Sequence, residues 1–337
     1  MPLGDNYLTV RKLLAQLSCL KDTGRLFMCT AIALRGRTTL FGRTLDVEAS
    51  FSERVIITPR NFKFNFLYEK SSLPHYAIIG MAHVFENAPL YYDAMNEFGL
   101  AGAALNFPGF AHYFPKIENK RNIASFEVIP LVLSSCKNIT EAKELLREAN
   151  ITNDEIDKNL QATPLHFMFC DKGSSIIIEQ TREGLKVYDN PFDVMTNSPD
   201  FPYHKSRLSD YSQLSPYPPK NILGLNYEPY SRGLGTFGLP GDFSSSSRFI
   251  RAFFVKSSNP CEEKGKEAVN SFFHIMDSVS VPKGAVRSDD GVCFYTFYSS
   301  CMDLENKVYY LTSYSKREIR EYSLYSQDLD GNEIKIK

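Results

Sequence analysis

Segments of period two alternate with segments of helical period along this chain, and that order limits the possible folds more than any other feature. From Met28 onward the residues read as strands, helices, strands, helices and strands again. Residues 29–35 and 39–46 flank the turn Gly36-Arg37, which makes them a hairpin by turn chemistry. Segments 55–58, 76–81 and 100–105 read as further strands. Helices are expected over 127–136 and 140–150, with Thr140 as the N-cap and Asn150 as the stop. Strands return at 165–170, 175–180, 185–188 and 193–196. After a loop-rich stretch, 199–247, come two helices. The second carries Ala268, Val269, Phe272, Phe273 and Met276 on one stripe. Segments 294–299, 307–313 and 319–323 close the chain as strands. This order places helices on the outer faces of sheets and does not build a doubly wound repeat, so the class is α+β. Without a polar break, residues 28–337 read as one domain.

Composition narrows the function. Of 337 residues, 43% are hydrophobic and 23% charged, enough to fill a core. Thirty-eight basic residues oppose 39 acidic ones, which leaves no electrostatic footprint for nucleic acid or an anionic membrane. No apolar run is long enough to span a bilayer. Seven cysteines are scattered without a C-x-x-C, suggesting neither a disulfide framework nor a zinc site. They fit a reducing cytoplasm and buried free thiols. Residues 1–27 differ from the rest, with a short amphipathic helix over 7–20 and a turn at 21–24. Arg11 and Lys12 resemble the start of a signal peptide. The run behind them is broken by Gln16 and Ser18, and no small-residue cleavage site follows. The segment reads as an extension absent from the mature protein.

Several motifs carry no function. Gly233, Gly235 and Gly238 match G-x-G-x-x-G, but Leu239-Pro240-Gly241 cannot open the helix a dinucleotide site requires. The histidines His75, His83, His112, His166, His204 and His274 lack metal-ligand spacing and read as structural or surface residues. Met28-Cys29-Thr30 is different. Methionine before a small residue is what a translation start looks like, and its removal would leave Cys29 terminal. The α-amine of a terminal cysteine, with a pKa of about 8, can serve as the base for its own thiol. The plain alternative is a buried strand cysteine after an internal methionine.

The residues around Cys29 resemble the choloylglycine hydrolase family of N-terminal-nucleophile hydrolases, which holds bile salt hydrolases and penicillin V acylases. The match runs through Leu40-Phe41-Gly42-Arg43-Thr44-Leu45-Asp46 and Ile57-Thr58-Pro59-Arg60-Asn61-Phe62-Lys63. It continues through Tyr92-Asp93-Ala94-Met95-Asn96-Glu97, Leu105-Asn106-Phe107-Pro108 and Thr196-Asn197-Ser198-Pro199. Gly238 to Arg251, Tyr298 to Met302 and Leu329 to Ile334 extend it to the C-terminus. The resemblance implies a four-layer αββα sandwich of two antiparallel sheets between helical layers. It implies that Cys29 is the nucleophile, with Arg43 beside it favouring thiolate. Asp46 would bind and orient the α-amine. Asn106 and Asn197 would stabilise the oxyanion, and Arg248 would be a second active-site arginine. Read from the residues alone, Arg43 and Asp46 could equally be a strand-end ion pair, and Asn197 a turn residue.

The implied reaction is amide hydrolysis of glycine- or taurine-conjugated bile acids, with neither metal nor organic cofactor. Asn106 is the bile salt hydrolase version of its motif, where penicillin V acylases tend to carry tyrosine. By the same resemblance Leu45, Phe51, Phe85 and Tyr92 lie on the loops of a broad apolar acyl pocket; core packing is their other reading. Residues 203–247 resemble the family's assembly region, which implies a homotetramer. The chain departs from the pattern at Thr44-Leu45, where bile salt enzymes commonly carry Asn-Met, and in a short 29–43 stretch. Residues 1–27 lie outside the match. The competing readings are a penicillin V acylase, another N-acyl amide hydrolase such as one acting on acyl homoserine lactones, and a non-catalytic lipid-binding protein.

Overall fold

The computed structural model describes residues 27–156, 162–221, 224, 226 and 230–337. The helix expected over 7–20 lies outside them. Met28–Arg35 and Thr39–Val47 form the expected hairpin, with Cys29 opposite Leu45 and Ala31 opposite Arg43. These two strands lie in an antiparallel sheet ordered Val194–Met195, Met28–Arg35, Thr39–Val47, Cys293–Asp303, Val308–Ser313 and Lys316–Ser323. Val286–Arg287 pairs beside Cys293–Asp303. The second antiparallel sheet is ordered Gly184–Asp189, Ser175–Thr181, Leu165–Cys170, Ala101–Asn106, Ala88–Asn96, Ile78–Phe85, Arg54–Thr58 and Lys335–Ile336.

Alternation along the strands decides how the sheets stack, because successive side chains leave opposite faces. Val55, Ile57, Ile79 and Met81 join Ala31, Ala33 and Leu45 in one core. Their neighbours Ile56 and Ile78 face the other way and join Val128, Val132 and Leu146 in a second core. Helices Val128–Ser135 and Ile139–Leu146 therefore cover the second sheet. Helices Ser245–Ser258 and Gly265–Asp277 cover the first. Ala268, Val269, Phe272, Phe273 and Met276, on the stripe legible in the sequence, are all buried. Each large side chain there contributes about 1.5–3 kcal/mol of burial. The result is the α+β, four-layer αββα sandwich. Gly42 lets its two strands approach: a Cβ there would lie 2.0 Å from the Ser300 carbonyl oxygen.

Some elements differ from the sequence reading. The helix expected over 140–150 ends at Leu146, and Ala149–Thr152 instead pairs parallel with Arg121–Ala124. The Gln180 side chain holds this strand, accepting from the Ile151 N–H and donating to its carbonyl. Such a partner, 29 residues away, outweighs local propensity. The helix cap is Asn138, not Thr140: its side chain accepts from the Glu141 N–H at 3.0 Å. The strand Ala88–Asn96 was hidden by its polar residues, of which Asp93 is buried and accepts from the Tyr298 and Tyr309 hydroxyls. Helix Phe201–Arg207 falls in the stretch read as loop. Its signals were the Asp200 N-cap and Pro202 in the first turn.

Candidate active site

The site is built where the Cys29 strand meets its neighbours. Cys29, Ala31, Arg43 and Leu45 share the inner face of the first sheet, because they alternate across paired strands. Arg43 Nη2 donates to Cys29 Sγ at 2.5 Å. Its other donors reach the carbonyls of Thr44, Tyr92 and Ala104, at 3.1, 3.3 and 2.5 Å. The guanidinium thus bridges the sheets and is 1% exposed. Burial disfavours its charge, but Cys29, Tyr298, Asp93 and Asp46 hold its pKa above the ordinary value.

Arg248 approaches from the outer face. It sits in the first turn of Ser245–Ser258, whose N-cap Ser244 accepts from the Ser247 N–H. Arg248 Nη1 donates to the Cys29 carbonyl and, at 2.7 Å, to Thr30 Oγ1. Nη2 donates to Asn197 Oδ1 at 2.8 Å. The same oxygen accepts from the Cys29 N–H at 2.8 Å. Asn197 Nδ2 donates to the Asn106 carbonyl at 2.8 Å. One amide therefore ties together the Cys29 nitrogen, the outer arginine and the end of Ala101–Asn106.

Asp46 is fully buried on the outer face. Its carboxylate accepts from Thr296 Oγ1 at 2.6 Å and from Thr44 Oγ1 at 3.3 Å. Burial pushes its pKa up to about 6, against the pull of Arg248, Thr296, Arg43 and Thr44. The Cys29 N–H points to Asn197 and not to Asp46. The thiol is subject to opposing effects. Arg43 and Arg248 favour thiolate, but burial is the larger effect and holds the pKa above its usual value. The thiol at 2% exposure stays protonated until a base takes its proton.

The Asn106 side chain faces the segment before Cys29. With its amide turned to satisfy both ends, its oxygen accepts from the Phe27 N–H at 3.1 Å and its nitrogen donates to the Pro164 carbonyl at 2.7 Å. The Phe27 ring stands edge-on to Phe51, with centroids 6.0 Å apart. Leu45 belongs to the inter-sheet core, against which Phe51 and Tyr92 pack. Phe85 stands apart from these three, half-buried at the tip of the hairpin Ile78–Phe85 and Ala88–Asn96. The sequence reading missed Thr30, Thr44, Thr296 and Ser245, which hold the named residues. Thr296 is 250 residues from its partner Asp46, and nothing local marks it.

This fold, with a cysteine near the edge of its first sheet under two arginines, defines a class that the comparisons specify. The family description "Linear amide C-N hydrolases, choloylglycine hydrolase family" matches residues 29–337. The chain belongs to that family and is an enzyme of the linear amide C–N hydrolase type. It is 43% identical over 309 residues to the bile salt hydrolase/transferase of Lactiplantibacillus plantarum, covering 91% of this chain and 95% of that protein. It is 39% identical over 315 residues to the bile salt hydrolase/transferase of Clostridium perfringens, covering 91% and 96%. The crystal structure of a mutant conjugated bile acid hydrolase from Clostridium perfringens superposes with a TM-score of 0.84 at 38% identity, covering 92% of this chain and 96% of the other. Penicillin V acylase from Agrobacterium tumefaciens shares the fold, with a TM-score of 0.72 at 21% identity, covering 91% and 90%. No helix among the described residues is long and apolar enough to cross a membrane.

Proposed function

We propose that this enzyme hydrolyses the amide bond of glycine- or taurine-conjugated bile acids, with Cys29 as its terminal nucleophile. The observation that carries the reading is that the sulfur, nitrogen and carbonyl of Cys29 each meet a different polar side chain of the set: Arg43, Asn197 and Arg248. A buried cysteine with only a packing role has no use for such a set. The names of the relatives support the choice of acyl group.

The mature chain begins at Cys29, translation starting at Met28, and residues 28–337 form the single catalytic domain. The freed α-amine takes the thiol proton, and the sulfur attacks the amide carbonyl. The oxyanion that forms is met by the side-chain amides of Asn106 and Asn197, once Asn106 no longer faces Phe27. The intermediate collapses to a thioester as the amine product leaves with a proton from the Cys29 ammonium. Water activated by the same amine then releases the free bile acid. Asp46 orients the amine, and both arginines stabilise negative charge at the sulfur and its surroundings. Leu45, Phe51 and Tyr92 line the acyl pocket, with Phe85 at its outer rim, and the edge-on contact of Phe27 with Phe51 supports an apolar group at that place. The free cysteines among the described residues fit a cytoplasmic location. Exposed Tyr217, Tyr230 and Phe237 fit burial between protomers of a homotetramer.

The test uses protein translated from Met28, with the terminal residue verified by mass. Release of glycine or taurine from glycocholate and taurocholate, with little amine from penicillin V, is the expected result. Release mainly from penicillin V would transfer the activity to that class of amide. A protein with a free Cys29 that is silent on all three would overturn the substrate assignment.

An acid limb is also expected. Protonating Asp46 removes the charge that orients the amine, so kcat/KM falls as pH drops through about 6. The neighbouring Cys29 ammonium favours the carboxylate and moves the limb to the acid side of that value. In D46N the limb should flatten and the plateau fall by about 10²-fold, as for loss of a positioned acid–base group. A limb that persists in D46N would belong to another group.

A further inference from the structure

We infer that His204 is a positioning residue for this site, fixing the Asn197 amide that binds the nucleophile's nitrogen; the inference rests on the function proposed above. His204 lies in helix Phe201–Arg207 and is 3% exposed. Its Nε2 lies 2.9 Å from the Asn197 carbonyl oxygen. A carbonyl only accepts, so Nε2 carries the hydrogen and donates. Nδ1 has no hydrogen-bond partner among the described residues. The bond to Asn197 is the ring's one geometrically formed hydrogen bond among the described residues, and the Pro199 backbone also lies near the ring. Burial pushes the imidazole pKa down to about 4, so the ring is neutral at the pH of turnover and offers its single hydrogen to Asn197.

The ring also reaches the second arm of the site. It stacks on Phe249, with centroids 4.8 Å apart and planes 15° from parallel. Phe249 follows Arg248, whose Nη2 binds the same Asn197 through Oδ1. His204 thus holds Asn197 by its backbone while packing on the helix that holds it by its side chain. Ser245, from that helix, completes the grip: its hydroxyl accepts from the Asn197 N–H at 2.9 Å and lies 2.8 Å from the Asn197 carbonyl. An apolar ring would pack against Phe249 as well as an imidazole does. A buried polar ring with one nitrogen unpaired is costly, and the bond to Asn197 is what an apolar ring could not supply. Displacement of a site group by about 1 Å can cost about 10²-fold in rate, so a fixed Asn197 backbone matters to turnover.

The experiment compares wild type, H204F and H204Q, each translated from Met28, which keeps every strand and helix described above. H204F keeps the stack and drops the donor. H204Q places an amide N–H near the position of Nε2. Turnover of glycocholate, alkylation of Cys29 by iodoacetamide, and crystal structures are measured for all three. H204F should lose about 10- to 100-fold in kcat with KM within about threefold, the range for disturbing an oxyanion donor. Its Cys29 alkylation should remain near wild type, and Asn197 Oδ1 should move out of hydrogen-bond reach of the Cys29 nitrogen. H204Q should recover to within about threefold of wild type. Should H204F fail to fold, H204L carries the same comparison. An unmoved Asn197 in the donor-less variant, or an H204Q no better than H204F, would overturn the inference. If wild type turns over no conjugate at all, the proposed function fails by itself, and the crystal structures still decide the role of His204.

Discussion

Cys29→Ala is expected to lower kcat by about 10⁴-fold or more, the scale seen when a covalent nucleophile is removed. Binding of free cholate should stay within about threefold, because the cysteine adds little to an apolar acyl pocket. The physical basis is the surroundings of the sulfur. It is buried against Arg43 Nη2, and the rest of the set is arranged around that residue's own nitrogen and carbonyl. No remaining group could replace it, since Asn106, Asn197 and both arginines act on charge and cannot form a thioester. The alanine variant leaves Arg43 with an unmet donor, an effect of about 1–3 kcal/mol on stability. Cys29→Ser separates the two consequences. It restores an acceptor for Arg43 but presents a far less acidic nucleophile, so stability should return while turnover stays low. Glycocholate hydrolysis surviving in Cys29→Ala would sink the assignment.

Arg248→Ala should damage both activity and folding. Arg248 and Asp46 are both wholly buried, and the arginine's charge favours the carboxylate. Removing the guanidinium takes the donor from the Cys29 carbonyl, Thr30 Oγ1 and Asn197 Oδ1, and each buried acceptor left unsatisfied costs about 1–3 kcal/mol. The variant should unfold at markedly lower urea, and Asp46 should hold its proton to higher pH. Catalysis suffers separately, because Asn197 loses the donor to Oδ1. Arg248→Lys distinguishes the effects. A lysine preserves the charge but cannot span the Cys29 carbonyl, Thr30 and Asn197 at once, as the guanidinium fork does. It should recover most of the stability yet remain about 10²-fold slow, the cost of weakening one oxyanion-type group. A lysine variant with full turnover would reduce Arg248 to a structural role.

The proposed catalytic set was legible as motifs but not as geometry. Met28-Cys29-Thr30 and the motifs ending in Asp46, Asn106, Asn197 and Arg248 could be read because each lies in a run of recognisable residues. Their mutual positions could not. In the structure the Cys29 nitrogen is a peptide N–H and meets Asn197, 168 residues away, a pairing that no motif marks. Arg43 favours thiolate as a neighbouring cation should, and burial, which no motif encodes, is the larger effect. His204 read as an unremarkable histidine because its partners are a backbone carbonyl and a ring, neither visible in residue order.

Two kinds of information divide in this protein for a physical reason. Residue order alone carries what periodicity and local chemistry can specify. These are the hairpin carrying Cys29, the alternation that makes two-faced strands, the apolar stripe on Gly265–Asp277, and the types of residue able to do amide chemistry. Each depends on neighbours within a few positions, where backbone geometry is set. Packing of the layers sets which of those residues meet, how burial shifts Cys29 and Asp46, and which silent residues hold them. Gln180 holds residues 149–152 as a strand where the helix was expected to run to Asn150, and Thr296 reaches Asp46 from a distant part of the chain. Such outcomes depend on desolvation and on contacts between the two sheets and their helices, and those exist only once the layers have packed.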